Sequence, residues 1–183
     1  QKGDYDLAGF IVGEVDKDKL IDGTSLRAGD SIIGLPSSGF HSNGFSLVRQ
    51  LVKDGEDDLK EELLTPTRIY HNIVMELLKV PGLVKGMAHI TGGGLKNIAR
   101  INKNFNYHIS KLPDLNELPD CVQAILKRTK IPSLQLYETF NMGVGFVFVT
   151  GNPKLLSTKL QELNEDFYLM GHVSEGPASV IVE

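Results

Sequence analysis

Apolar and polar positions along this chain predict short strands interleaved with amphipathic helices. Ile32-Ile33-Gly34-Leu35 and Gly145 to Val149 are short, nearly continuous apolar runs, the pattern of strands buried on both faces. Ala8 to Val15 is rich in β-formers and predicts another strand, with Asp16-Lys-Asp-Lys19 as its charged exit. Val84 to Ile90, Tyr107 to Ser110, Tyr168 to Val173 and Ser179 to Val182 complete the expected strands. The helical segments are Ser46 to Val52, Thr67 to Val80, Leu95 to Ile101, Pro119 to Thr129, Ser133 to Phe140 and Pro153 to Leu163. In the second of these, Ile69, Ile73, Val74, Leu77 and Leu78 share a face, and Pro81-Gly82 stops the helix. In the third, Leu95, Ile98 and Ile101 recur at every third position. The acidic run Asp54 to Glu62 reads as a solvated surface segment. Interleaving of this kind implies an α+β fold with α/β layering, a mixed β-sheet covered by helices.

Composition narrows the class. The 183 residues suit one compact domain, and 41% hydrophobic with 23% charged residues is the balance of a soluble globular chain without a membrane-length apolar run. The lone Cys121 excludes an internal disulfide framework and suits a reducing cytoplasm. A net charge of -4 disfavours a broad nucleic-acid surface, while leaving room for a local basic pocket. The start, Gln1-Lys-Gly-Asp, carries neither a methionine nor a signal-like apolar segment and reads as a cut rather than a native terminus.

Chemistry concentrates in two glycine-rich turns, each following an apolar strand and preceding a helix. Ser37-Ser-Gly-Phe-His-Ser-Asn-Gly44 combines main-chain N–H groups, the hydroxyls of Ser37, Ser38 and Ser42, and the permissive backbone of Gly39 and Gly44. His41 and Asn43 add an imidazole and a carboxamide that a plain turn does not require. Thr91-Gly92-Gly93-Gly94 presents three successive glycines where one serves for a tight turn, a favourable seat for an anion. His89 precedes it, and because a free imidazole titrates near neutral pH, His41 and His89 are both candidates for carrying a proton or simply for hydrogen bonding. Asp4 and Asp6 sit at alternate positions, so an extended chain points both the same way, a geometry that suits Mg2+ shared with a nucleotide and equally suits solvated turn or strand-start carboxylates. Arg68 is expected to open a helix, where a cation opposes the local dipole unless an anion faces it. The glycines of Asn141-Met-Gly-Val-Gly145 read first as permitting close packing, with Asn141 able to reach a ligand.

Four of these segments occur in a specific order: Ser37 to Gly44, Thr65-Pro-Thr-Arg-Ile-Tyr70, His89-Ile-Thr-Gly-Gly-Gly94 and Phe140-Asn-Met-Gly-Val-Gly145. From Asp4 to its end the chain resembles the C-terminal half of the aminoimidazole ribonucleotide synthetase family, the phosphoribosylformylglycinamidine cyclo-ligases. Superfamily relatives such as thiamine-monophosphate kinase share the architecture without this set of motifs. The resemblance implies residues 1–20 as the last strand and linker of a missing N-terminal domain and residues 21–183 as the C-terminal domain. It implies an ATP-dependent ligase of de novo purine biosynthesis that cyclises formylglycinamidine ribonucleotide to aminoimidazole ribonucleotide, releasing ADP and phosphate. ATP and Mg2+ would be its cofactors, the full-length parent a homodimer, and the missing domain the source of much of the ATP and metal site. His41 and Asn43 would orient the substrate amide or move a proton. Ser37, Ser38, Gly39, Ser42, Gly44, Arg68, His89, Thr91, Gly92, Gly93, Gly94 and Asn141 would bind substrate or phosphate, and Asp6 the metal. This piece alone is expected to fold without turning over. Pro36, where the family more often has glycine, is expected only to stiffen the chain locally. Two alternatives stay open: another ATP-using enzyme such as a small-molecule kinase, and a non-catalytic anion-binding module.

Overall fold

A computed structural model describes residues 8–183. Its frame is a six-stranded mixed sheet. In chain order the main elements are β1 (Ser31–Pro36), α1 (Phe45–Leu51), α2 (Asp57–Leu63), α3 (His71–Leu78), β2 (Gly86–His89), β3 (Phe105–Ile109), α4 (Asp120–Arg128), α5 (Ser133–Thr139), β4 (Val144–Thr150), α6 (Pro153–Glu162), β5 (Tyr168–Glu175) and β6 (Ser179–Val182). Across the sheet the order is β2-β4-β1-β5-β3-β6, with every pair antiparallel except β3 and β6.

The apolar runs are central because both of their faces are covered. On β1, Ile32 joins Val147, Val149, Met170 and Val173 in one core, while Ile33 and Leu35 join Phe148, Leu156 and Leu160 in the other. The second core is roofed by α3 and α6, through Ile73, Leu77, Leu156 and Leu160. α6 starts where Asn152 accepts from the Leu155 N–H and Pro153 takes a first-turn position that needs no donor. A third core, Phe40, Val48, Leu63, Val122, Ile125 and Phe140 among others, binds α1, α2, α4 and α5 into a helical lobe beside the sheet. No helix among the described residues is long and apolar enough to cross a membrane.

Two segments differ from the sequence expectation. Ala8 to Val15 is not a strand: it has no regular structure, and Phe10, Ile11 and Val12 are exposed. β-formers make a strand only when another strand pairs with them, and none does so among the described residues. The helix expected from Thr67 begins at His71 instead. Pro66 disfavours a helical Thr65, and the Arg68 N–H is directed at His41 rather than into a helical turn, so Ile69 lies exposed rather than inward. The helix expected over Leu95 to Ile101 is present as a 3-10 helix, Gly94–Arg100. The apolar spacing of three, Leu95, Ile98 and Ile101, matches its three residues per turn. The acidic run Asp54 to Glu62 is solvated, as expected, and part of it is helical in α2, whose last residue, Leu63, is buried in the third core.

Candidate functional site at one edge of the sheet

β1 and β2 both pair antiparallel with β4, so they run in the same direction and end at the same edge. β4 begins between them, with Pro36 opposite Val144 and His89 opposite Phe146. That topology brings together the loop after β1, the turn after β2 and the loop before β4. The Ser37 N–H donates to the Gly143 carbonyl at 2.8 Å, and Asn141 donates to the Gly39 carbonyl at 2.8 Å while accepting from the Gly143 N–H at 3.0 Å. The Asn43 side chain donates to the Ile90 carbonyl at 3.3 Å, tying the first loop to the second.

His41 lies at the centre. It is 7% exposed and holds a left-handed backbone, φ 54°, which is uncommon for a residue other than glycine and is sustained only where the surroundings enforce it. Its Nε2 accepts from two main-chain N–H groups, Ser38 at 3.1 Å and Arg68 at 3.4 Å. Its ring centroid is 6.2 Å from that of His89 and 6.3 Å from that of Tyr70. Burial, followed by the neighbouring His89 and Arg68, lowers its pKa to about 4, so the ring is neutral at pH 7. Burial also lowers the pKa of His89. Gly145 leaves the space beneath: a Cβ there would collide with the Tyr70 hydroxyl and the His41 ring. Its role is therefore to admit two side chains of this cluster onto β4.

Among the described residues, the buried side-chain polar atoms without a hydrogen-bond partner are Ser37 Oγ, His41 Nδ1 and Asn43 Oδ1. All three belong to one seven-residue stretch. Leaving such a group unpaired costs about 1–3 kcal/mol, and their concentration in one loop marks a place prepared for a ligand's polar groups.

The other residues singled out in the sequence are committed elsewhere to differing degrees. Ser38 Oγ donates to the Pro66 carbonyl. The Arg68 guanidinium is paired with Glu165 and so is not a free cation. Asn141 is fully buried with both side-chain functions satisfied, which assigns it to stapling the loops rather than to touching a ligand. Gly94 is needed for packing, since it has φ 56° and a Cβ would strike the Tyr137 carbonyl. Thr91 Oγ1 donates to Asn97 Oδ1, whose amide in turn donates to the carbonyls of Thr91, Gly92 and Gly94. Ser42, His89, Gly92 and Gly93 remain exposed at the same edge. Asp6 lies outside the described residues. Among those described, no three His, Cys, Asp or Glu side chains gather as a metal site.

Three contributors were not singled out as site residues in the sequence, although Tyr70 closes the Thr65 to Tyr70 motif. Tyr70 donates to the Pro36 carbonyl at 2.8 Å, Phe146 lies beneath the His89 ring at 6.1 Å between centroids, and Glu165 pairs with Arg68 from the connection between α6 and β5. The Pro36 main-chain carbonyl, at the register shift that ends β1, accepts from both Tyr70 and Arg68.

Comparison with known proteins agrees with the motif order. Residues 27–183 match the family described as AIR synthase related protein, C-terminal domain. The phosphoribosylformylglycinamidine cyclo-ligase of Clostridium tetani is 43% identical, covering 100% of this chain and 57% of its own length. That of Pseudothermotoga lettingae is 42% identical, covering 98% and 56%. The chain thus spans little more than half the length of these curated relatives. Among solved structures, thiamine monophosphate kinase from Aquifex aeolicus has a similar fold, with TM-score 0.54 at 18% identity over 89% of this chain and 52% of that one. A structure of that kinase complexed with AMPPCP and TMP is similar to the same degree, with TM-score 0.54 at 19% identity over 87% of this chain and 49% of the kinase.

Proposed function

The chain belongs to the AIR synthase related protein family, C-terminal domain, and from that premise we propose that it is the C-terminal part of an ATP-dependent ligase of purine biosynthesis. The reaction is closure of the imidazole ring of formylglycinamidine ribonucleotide to aminoimidazole ribonucleotide. The observation that carries this reading is the trio of unpartnered buried atoms, Ser37 Oγ, His41 Nδ1 and Asn43 Oδ1. The names of the relatives at 42–43% identity support the same reaction.

The trio offers donors and an acceptor without a net charge. With Nε2 capped by N–H groups, the neutral His41 ring carries its proton on Nδ1 and donates there. A substrate amide is complementary: its oxygen meets His41 Nδ1–H and the Ser37 hydroxyl, and its N–H meets Asn43 Oδ1. The amide oxygen is a poor leaving group until it gains a phosphoryl group from ATP, whose bond to ADP breaks as the new O–P bond forms. The amidine nitrogen then bonds to the activated carbon, the C–O bond breaks with departure of phosphate, and the nitrogen loses a proton. What this chain contributes is position and hydrogen bonding to developing charge. Exposed Ser42, Gly92 and Gly93 border the same edge and are open to phosphate oxygens. Among the described residues no carboxylate or histidine cluster suits Mg2+; Asp6, outside them, and the N-terminal part would hold the metal. That part would also complete the ATP site and carry the homodimer contacts.

The test is ADP release with formylglycinamidine ribonucleotide, ATP and Mg2+, measured on this chain alone and on the full-length protein. Turnover only in the full-length protein is expected. A full-length protein that binds these substrates without releasing ADP would overturn the ligase reading, and release by the chain alone would overturn the division of the site.

A further inference from the structure

His41 is held by residues that no motif reading singles out for that task. Nε2 faces the N–H groups of Ser38 and Arg68, and both need its lone pair. A proton on Nε2 would set donor against donor, and an imidazolium would do the same beside the Arg68 cation. Arg68 does not take its place from a helix, because α3 begins three residues later. Its side chain places it instead. The guanidinium pairs with Glu165, reaches the Pro36 carbonyl at 3.4 Å and lies 5.3 Å from the Tyr70 ring centroid. The Tyr70 hydroxyl donates to that same carbonyl. Two chain segments, 36–41 and 66–70, are thereby clamped around one imidazole nitrogen. The titratable or charged groups facing His41 are Arg68, His89 and Tyr70, with Glu165 behind Arg68.

We propose that Glu165 and Tyr70 are positioning residues that lock His41 as the Nδ1–H tautomer, so that the site presents a fixed neutral donor and not a proton-abstracting base. Glu165 acts by anchoring Arg68, whose N–H caps Nε2. Tyr70 acts by anchoring the Pro36 carbonyl at the root of the loop. The consequence for chemistry is a change of role: the imidazole stabilises charge on an acceptor oxygen, and the proton released during ring closure leaves by another route. Only the identity of that oxygen rests on the ligase reading; the tautomer does not.

The experiment is long-range 1H–15N NMR of the histidine rings in the 15N-labelled chain between pH 5.5 and 8, with His41→Gln assigning the His41 signals. Wild type is expected to show a protonated Nδ1 and a bare Nε2 throughout that range. Glu165→Ala and Tyr70→Phe are each expected to give mixed tautomers. Glu165→Gln, which keeps an acceptor for Arg68, is expected to restore the wild-type pattern and provides the comparison if the alanine variant does not fold. A protonated Nε2 or a charged His41 at pH 7 in wild type overturns the proposal. So does a wild-type His41 pattern in the folded Tyr70→Phe variant. Ligase activity does not enter this readout, so the positioning claim and the ligase reading fail separately.

Discussion

The loop after β1 and the turn after β2 share a residue vocabulary and a sheet edge, yet they spend their polar groups in opposite ways. In the turn, Asn97 collects three carbonyls and the Thr91 hydroxyl. In the loop, three buried side-chain atoms are left without partners. Glycine content is therefore a poor guide to ligand binding, because a tight turn and an anion seat call for the same residue. The balance of hydrogen bonds separates them: a segment built only to connect satisfies its own groups, and one built to receive a ligand leaves some for it.

The largest effect expected from this contrast lies within the turn itself. Gly94→Ala forces a left-handed alanine against the Tyr137 carbonyl, whereas a Cβ at Gly92 meets nothing within 4 Å. Strain and overpacking together are expected to cost about 3–5 kcal/mol at Gly94 and under about 0.5 kcal/mol at Gly92. Urea denaturation of the two variants checks this. Equal losses would mean that the turn's glycines serve one common purpose, as an anion seat would require.

A pH titration of stability reads the loop instead. His41 has a pKa of about 4 when folded against an ordinary value of 6.5, so at intermediate pH the unfolded chain binds more protons. Stability contributed by the neutral ring is complete above about 6.5 and is lost as pH falls toward 4, by up to about 3 kcal/mol. Denaturation midpoints between pH 7.5 and 4 are expected to fall in wild type and to flatten over that window in His41→Gln. An equal slope in both would assign the acid loss to other groups.

Much of this architecture was legible in the residues, and the boundary of legibility has a physical cause. The runs around Ile33 and Val147 announce buried strands because burial on both faces leaves no polar positions, and α6 is announced by its leucines and its Asn-Pro start. Local pattern failed where the deciding partner is remote. Ala8 to Val15 has strand composition without a strand beside it among the described residues, and Thr67 to Tyr70 has helical apolar spacing while the Arg68 N–H is drawn to His41. That the loop carries polar groups beyond what a turn needs was readable from His41 and Asn43. That His41 and His89 meet was not readable, nor that Glu165 neutralises Arg68 across 97 positions or that Asn141 staples Gly39 across 102, since these depend on sheet order.

The smallest effect makes the sharpest cut between the two segments, because its sign changes. Asn97→Ala removes a buried amide from four partners in the turn and strands their polar groups, for an expected loss of about 2 kcal/mol. Ser37→Ala removes a hydroxyl that is buried and unpaired, so the folded chain gives up no hydrogen bond and sheds a desolvated group. Its stability is expected to stay level or rise by up to about 1 kcal/mol, while turnover of the full-length protein drops. Natural chains retain a group that weakens the fold when something outside the fold uses it. If Ser37→Ala instead destabilises as Asn97→Ala does, the hydroxyl already has a partner within the fold, and the contrast between loop and turn narrows to His41 and Asn43.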